Sequence, residues 1–496
     1  MEKLILSKST FLRGLQCPKS LFLYKNNFQQ RDAASTTQQA IFSRGNAVGV
    51  LAQSLFPGGT DASSSDRFKF TEATAKTQAL INSGASIIYE AAFQYEGVYV
   101  ALDILVKENG SWMAYEVKSS AKITAAYLMD AALQYYVITQ SGLPLNDFQL
   151  IYMNTGYVKS KQLELEKMFQ RKSVTKEILQ RQKNVSEKIQ ELKAGLESYV
   201  LPEISIGEHC HTPYNCDFLG TCRGVVQDDS IFYLNGISKQ KQYEFYHAGI
   251  KKIKELPADY AFTNDQKIQY ECSISNKTFI NREAIAGFMK GINYPLYFLD
   301  FEMFMPAVPL YEATSPYEHI PFLYSLHYKE NINQELKHLF FLAETGEHPI
   351  KNFIAQLIID MGKVGDILIF DPTQEIKVLN KAIQLFPEWK TDLVKIIGRI
   401  KDLSLPFEKK YFYMQQMKGS YSMKLLLPAI APELDFENLK IKNGISALAA
   451  FENLQTESDL FKALEVRESL IEYCKMDTLG LVKIFEALES LAVSNT

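Results

Sequence analysis

Three side chains close together in the chain have the makings of hydrolytic chemistry: Asp103, Glu116 and Lys118 in VALDILVKENGSWMAYEVKSS, residues 100–119. Two carboxylates beside an ammonium can hold a divalent cation and the water it activates, while the lysine offsets charge on a phosphate. A second pair, Asp300 and Glu302, ends the apolar run NYPLYFLDFEMF. On a strand, where side chains alternate, the two acids point one way and Phe301 the other. Paired acids on a buried strand are costly unless a cation or hydrogen-bond donors satisfy them. Tyr473 and Asp477, four apart in SLIEYCKMDTLGLVKIFEAL, share a helical face. The remaining signal is sulphur. Cys17 stands alone near the start, and Cys210, Cys216 and Cys222 follow far downstream as C-x5-C-x5-C.

The elements that would position these groups are legible in outline. Alternation from Val100 to Val106, a Glu-Asn-Gly turn and a run from Trp112 to Val117 predict a β-hairpin, with Glu116 and Lys118 on one face. Glu90 lies in the strand candidate IIYEAAF, and AYLMDAALQYYVI is a helix candidate carrying Asp130 and Gln134 on one face. DFQLIYMNTGYV is a further strand, and residues 159–198 read as charged and helical. In the second half, GDILIFDPTQEIKVLNKAI predicts a strand and then a helix with Glu375 in its first turn. Asp402 lies in the strand-like segment RIKDLSLPF.

At 496 residues the chain should hold two or three domains. A net charge of −4 leaves nucleic acid open as a partner only through a local basic groove. No window approaches the roughly 18 apolar residues of a membrane span, and the first residues lack a secretory apolar core. The expectation is a cytoplasmic protein with no membrane contact. In such a reducing compartment the six cysteines favour metal ligation or burial over disulphides. Cys272 and Cys474 are expected to be small buried hydrophobes.

Taken together, Glu90, the D…ExK hairpin, the helix with Gln134 and Tyr135, the LSKSTFLRGLQCPKSLFLY start and the cysteine trio resemble the RecB-like PD-(D/E)xK nucleases. The branch is the iron–sulphur one that includes AddB and CRISPR-associated RecB-like exonucleases. DxE, then an acid opening a helix, then Y-x3-D resembles the DEDD exonucleases of the RNase H fold in their tyrosine form. The combination, including KGSYSMKLLLPAIAP, resembles a bacterial family that joins a RecB-like nuclease to a C-terminal domain of formerly unknown function.

The resemblance implies an α/β protein in three parts: a restriction-endonuclease-like PD-(D/E)xK nuclease domain over 1–225, a helical connector over 226–290 and an RNase H-like domain over 291–496. It implies that Glu90, Asp103 and Glu116 hold Mg²⁺ or Mn²⁺, that Lys118 orients water, and that Gln134 and Tyr135 position the strand. It assigns Cys17, Cys210, Cys216 and Cys222 to a structural 4Fe–4S cluster. Zn²⁺ with His209 or His211 remains the alternative, because relatives often carry C-x2-C in the trio. In the second domain Asp300, Glu302, Glu375 and Asp477 would hold metal beside Tyr473, although the superfamily has aspartate where FDPTQE stands, and Asp402 is the rival to Glu375 as the acid of the second motif. The implied activity is hydrolysis of DNA phosphodiesters, as an exonuclease on single strands or ends, in repair or defence. A ribonuclease acting through the second domain, and a nucleic-acid-binding protein with an inactive second domain, remain as alternatives.

Overall fold

The computed structural model describes residues 4–33, 36–64, 69–434 and 436–493 of a mixed α/β chain. Its contacts divide it into two units: Met1–Val225 with Ala307–Tyr317, and Val226–Pro306 with Glu318–Thr496. Among the described residues no helix is long and apolar enough to cross a membrane.

The first unit is built on one sheet. Its strands are β1 (Leu6–Ser7), β2 (Thr60–Asp61), β3 (Ile87–Tyr95), β4 (Val98–Glu108), β5 (Ser111–Lys118), β6 (Leu145–Met153) and β7 (Phe169–Ser173), and β2 to β7 lie side by side in chain order. The β4–β5 turn uses Asn109 and Gly110 at φ 49° and 83°, the left-handed pair that a two-residue hairpin matching strand twist requires. β5 pairs with β4 only from Ile104 outward, and β1 lies parallel to β4 at Val98 and Tyr99. The neighbour of β4 therefore changes at Asp103. β5 and β6 are parallel and need a crossover. Helix α3 (Ala125–Gln140) provides it, capped by Thr124 and burying Ala131, Leu133, Val137 and Ile138 against the sheet. Helices α1 (Lys8–Gln16) and α2 (Pro18–Asn26) precede it in the chain; α1 starts at a capping box of Ser7 with Thr10, and Cys17 sits between the two.

Residues 159–198 depart from the uniformly helical expectation. They contain β7, whose only buried side chain is Phe169, before the helix α4 (Gln182–Glu197). An edge strand needs one buried face at most, and Gln170, Arg171 and Lys172 make it polar, so its sequence carries no period-two signal.

The second unit has a five-stranded sheet ordered β11-β10-β9-β12-β13, from β9 (Leu296–Phe304), β10 (Ile320–Lys329), β11 (Lys337–Leu342), β12 (Asp366–Ile369) and β13 (Ile400–Asp402). A small pair, β8 (Phe279–Ile280) with β14 (Phe412–Tyr413), lies apart from it. Central β9 runs antiparallel to β10 and parallel to β12. One face of β9 packs Phe301 on Phe353 of α5 (Ile350–Asp360), with ring centroids 4.9 Å apart. The other packs Phe298 on Phe485 of α9 (Leu460–Val493) at 5.6 Å, and Phe304 on Phe451 of α8 (Gly444–Leu454) at 5.1 Å. Burying each such ring contributes roughly 1.5–3 kcal/mol, which fixes the register of Asp300 and Glu302 between them. α6 (Thr373–Leu385) and α7 (Met423–Ile430) complete the surroundings of the acids.

Residues 226–290, expected as a separate connector, belong to this second unit. Ile285 and Cys272 lie in its core with Ile484 and Leu488, β8 pairs with β14, and the Gln269 amide donates to the Tyr413 hydroxyl at 3.2 Å.

Candidate metal centres

In the first unit three acids form a row across three strands. Register on either side, Tyr89 with Ile104 and Ala91 with Leu102, sets Glu90 opposite Asp103. Continuing from Ile104 with Tyr115 sets Asp103 opposite Glu116. Glu90 has φ 53°, a left-handed conformation that non-glycine residues avoid unless surroundings enforce it, and one that recurs at functional sites. Where the β4–β5 ladder stops, Asp103 Oδ2 accepts from the Val117 amide at 2.6 Å.

Two ammonium groups converge on Glu116, which is 2% exposed. Lys118 Nζ lies 2.8 Å and Lys8 Nζ 2.7 Å from Oε1, while the buried Oε2 has no hydrogen-bond partner among the described residues. Burial alone would raise Glu116, but Lys118 and Lys8 hold its carboxyl well below the usual range. Burial alone would lower Lys118, yet Asp130 and Glu116 keep it well above its ordinary value. Its two carboxylate partners thus favour the charged form of Lys118. Burial and the charge of Glu116 push Asp103 up to about 8, and burial raises Glu90. Asp130 Oδ2 receives Lys118 at 2.5 Å, and Asp130 Oδ1 accepts from Gln134 Nε2 at 3.4 Å. Gln134 is fully enclosed, so it acts on Lys118 through Asp130. Tyr135 packs half-buried against the unit's core.

The cysteines meet at the start and end of the unit's main stretch. Cys17, Cys210, Cys216 and Cys222 all carry free thiols. Burial raises Cys17, Cys210 and Cys222, and the charges of neighbouring cysteines in the set add to it. The Cys216 amide donates to the Cys210 carbonyl at 2.8 Å, and its thiol lies 3.4 Å from Ser20 Oγ. Arg13 grips both oxygens of Asp217 at 2.5 and 3.0 Å, and Gln16 donates to the carbonyls of His209 and Tyr214. Among the described residues these thiols place no three ligand atoms within 4.8 Å of one another. His209 Nε2 lies 3.6 Å from Cys210 Sγ, and His211 Nδ1 faces Asn215 at 3.0 Å.

The second unit gathers more acids than cations, with the charge of Lys424 reaching Asp477. Ligand atoms of Asp300, Glu302 and Cys474 lie within 4.8 Å of one another. From α9, Tyr473 and Asp477 line one cavity, and the Tyr473 hydroxyl and the Glu302 carboxylate both lie within 4 Å of where a Cβ on Gly444 would stand. Burial and the charges of Asp300, Asp477 and Glu375 push Glu302 well above the usual range. Burial and Asp300 do the same to Asp477. Burial raises Asp300 to about 7, and burial with Asp300 raises Glu375 to about 8. Glu375 is 7% exposed and its Oε2 has no hydrogen-bond partner among the described residues. The structure thus puts Glu375 with Asp300. Asp402 accepts at Oδ1 from the amides of Asp371 at 3.1 Å and Ser404 at 2.8 Å, while its charge still reaches Glu375.

Lys8 and the contact of Asp130 with Lys118 carry no local sequence signal, and Cys474 reads in the sequence as packing alone. Cys474 is indeed wholly buried, but beside two acids that raise its thiol further after burial. No curated protein matches the chain. A family model described as a domain of unknown function, DUF2779, matches residues 297–422. That stretch is similar to the family over β9 to β14 and takes in Asp300, Glu302, Glu375 and Asp402, whereas Tyr473 and Asp477 lie beyond it.

Proposed function

We propose that the chain is a divalent-metal-dependent nuclease hydrolysing DNA phosphodiesters at single strands or ends, with a RecB-like PD-(D/E)xK first unit and an RNase H-like, DEDD-type second unit. One observation carries this reading. In each unit carboxylates from separate elements converge with too few positive side chains to neutralise them. In the first centre Glu90, Asp103, Glu116 and Asp130 face Lys8 and Lys118, leaving a deficit that one divalent cation would match. In the second, Asp300, Glu302, Glu375 and Asp477 leave a deficit that suits two. The orphaned oxygens of Glu116 and Glu375 fit a hard cation that favours oxygen ligands.

A bound Mg²⁺ or Mn²⁺ would supply Lewis acidity toward phosphoryl oxygens and water. The chain's own residues do the rest. Lys118, its charged form favoured by Asp130 and Glu116, offsets phosphate charge and orients the attacking water. Asp130 and Gln134 fix its direction. In the second centre the Tyr473 hydroxyl, aimed at the acids, holds the water for in-line attack.

For the cysteines, the open spacing supports the 4Fe–4S reading over zinc. Zn–S bonds of about 2.3 Å would set all the sulphurs about 3.8 Å apart, whereas among the described residues no three of these ligand atoms lie within 4.8 Å of one another. Arg13, Gln16 and Asp217 hold the two ends of the clasp together around that space. Anaerobic purification should give a brown protein with iron and acid-labile sulphide; stoichiometric zinc without iron would overturn the cluster.

The activity is tested with end-labelled single- and double-stranded DNA and RNA, Mg²⁺ or Mn²⁺, and three proteins: wild type, Lys118→Ala and Asp300→Ala. DNA cleavage reduced by each substitution supports two live centres. Cleavage confined to RNA and lost only in Asp300→Ala would replace this reading with a ribonuclease, and no cleavage of any substrate would end it.

A further inference from the structure

The second centre is rich in anions, so a phosphate can approach it only where positive groups lie at its rim. Two cavities, about 620 and 340 Å³, open on the acids: Tyr473 and Asp477 line the larger, Glu302 and Glu375 the smaller. Lys424 and Asn443 line both. Lys424, exposed on the first turn of α7, has no ion pair or hydrogen bond among the described residues. Lys442, also at the larger cavity, is already held by Glu437 at 3.1 Å. Asn443 caps α8, accepting from the Ser446 amide at 3.0 Å and leaving earlier amides of the helix free to donate outward.

Gly444 opens α8 directly onto the acids: a Cβ there would stand 3.5 Å from Glu302 Oε2. A helix N-terminus presents amides and a partial positive charge to an anion. Here it ends on the same small cavity as the orphaned Oε2 of Glu375, an oxygen that calls for a cation. Acids that call for a cation, and at the same two cavities helix amides with a lysine whose charge already reaches Asp477, are complementary parts of a phosphate site.

We propose that Lys424 and the α8 N-terminus at Asn443–Gly444 form the phosphate grip of the second centre, binding the non-bridging oxygens of a nucleic-acid backbone across the acid cluster. This deepens the nuclease reading of that centre and rests on it. Lys424 touches substrate and no metal, which separates its role from that of the carboxylates.

The test uses the full chain carrying Asp103→Asn, which silences the first centre, with Mn²⁺ and end-labelled oligothymidylate. Lys424→Gln should raise KM about tenfold or more, the size of one charge-assisted hydrogen bond. Mn²⁺ affinity by equilibrium dialysis should stay within about twofold, and Lys424→Arg should recover most of the loss. Replacing the terminal phosphodiester by a neutral methylphosphonate should bring the KM of the Lys424→Gln protein level with that of its Lys424 parent. An unchanged KM in Lys424→Gln, or a parallel loss of Mn²⁺, overturns the grip while leaving the metal centre standing. Mn²⁺ bound by Asp103→Asn with oligothymidylate and oligouridylate both uncut removes the hydrolase reading and this inference with it.

Discussion

In the first unit Glu116 accepts from two ammonium groups, Lys8 and Lys118, whereas in the second the charged neighbours that act on Glu302 are Asp300, Asp477 and Glu375. Both glutamates are buried on a strand, yet one is held ionised and the other is driven toward its protonated form. The first centre is mostly balanced by its own side chains and keeps a standing cation for the phosphate. The second leaves its balance to be supplied from solution, with Lys424 as the cation at its rim. Burial is common to both; the presence or absence of lysine decides the sign.

The sharpest way to break that comparison is one substitution type in both places. In chelator, Glu116→Gln should destabilise the first unit by about 3–5 kcal/mol, because Lys8 and Lys118 lose their buried anion. Glu302→Gln should instead stabilise the metal-free second unit, by about 1 kcal/mol, because a repelling carboxylate is gone. Urea unfolding measures both, and equal signs would refute the contrast. Next in size, Lys118→Ala should lower first-centre cleavage about 10²–10³-fold, as loss of a fixed charge-stabilising donor does, in DNA digests of an Asp300→Ala background.

A pH series sharpens the same contrast. Asp300 and Glu375, raised to about 7 and 8, bind protons more tightly folded than unfolded, so their contribution is full in acid and lost as pH rises through those values. Glu116 is depressed, so its contribution is present above the ordinary glutamate range and lost only in acid. From pH 6 to 9 in chelator the second unit's melting midpoint should fall, by roughly 2–4 °C per kcal/mol, and Mn²⁺ should abolish the fall. Asp103, raised to about 8, gives the first unit a shallower version of the same trend. Smallest of all, Asp402→Asn should cost about 1 kcal/mol or less and leave metal binding unchanged, since its oxygen serves backbone amides; loss of metal by dialysis would return it to the centre.

Local pattern made part of this legible. The hairpin is written in alternation plus Asn109-Gly110, and the Asp300 pair in a period-two apolar strand. Lys8 was not, because it reaches Glu116 across 108 positions through β1, a two-residue strand too short to carry any period. Glu375 follows β12 and Asp402 ends its parallel neighbour β13, and the two look alike as sequence; burial of Glu375 and the amides that Asp402 accepts separate them. β7 stayed hidden because an exposed edge strand needs no apolar face. The partners of Cys17 lie nearly two hundred residues away, so proximity came from the resemblance and the structure, not from spacing.

Counting Mn²⁺ bound per chain by equilibrium dialysis, after chelator treatment, tests most directly whether these acids converge on cations. The account predicts about three per wild-type chain, about two when Asp103→Asn and Glu116→Gln are combined, and about one when Asp300→Asn and Asp477→Asn are combined, following the charge deficit of each centre. A wild-type chain that binds none, or a count that neither pair of substitutions changes, would contradict it.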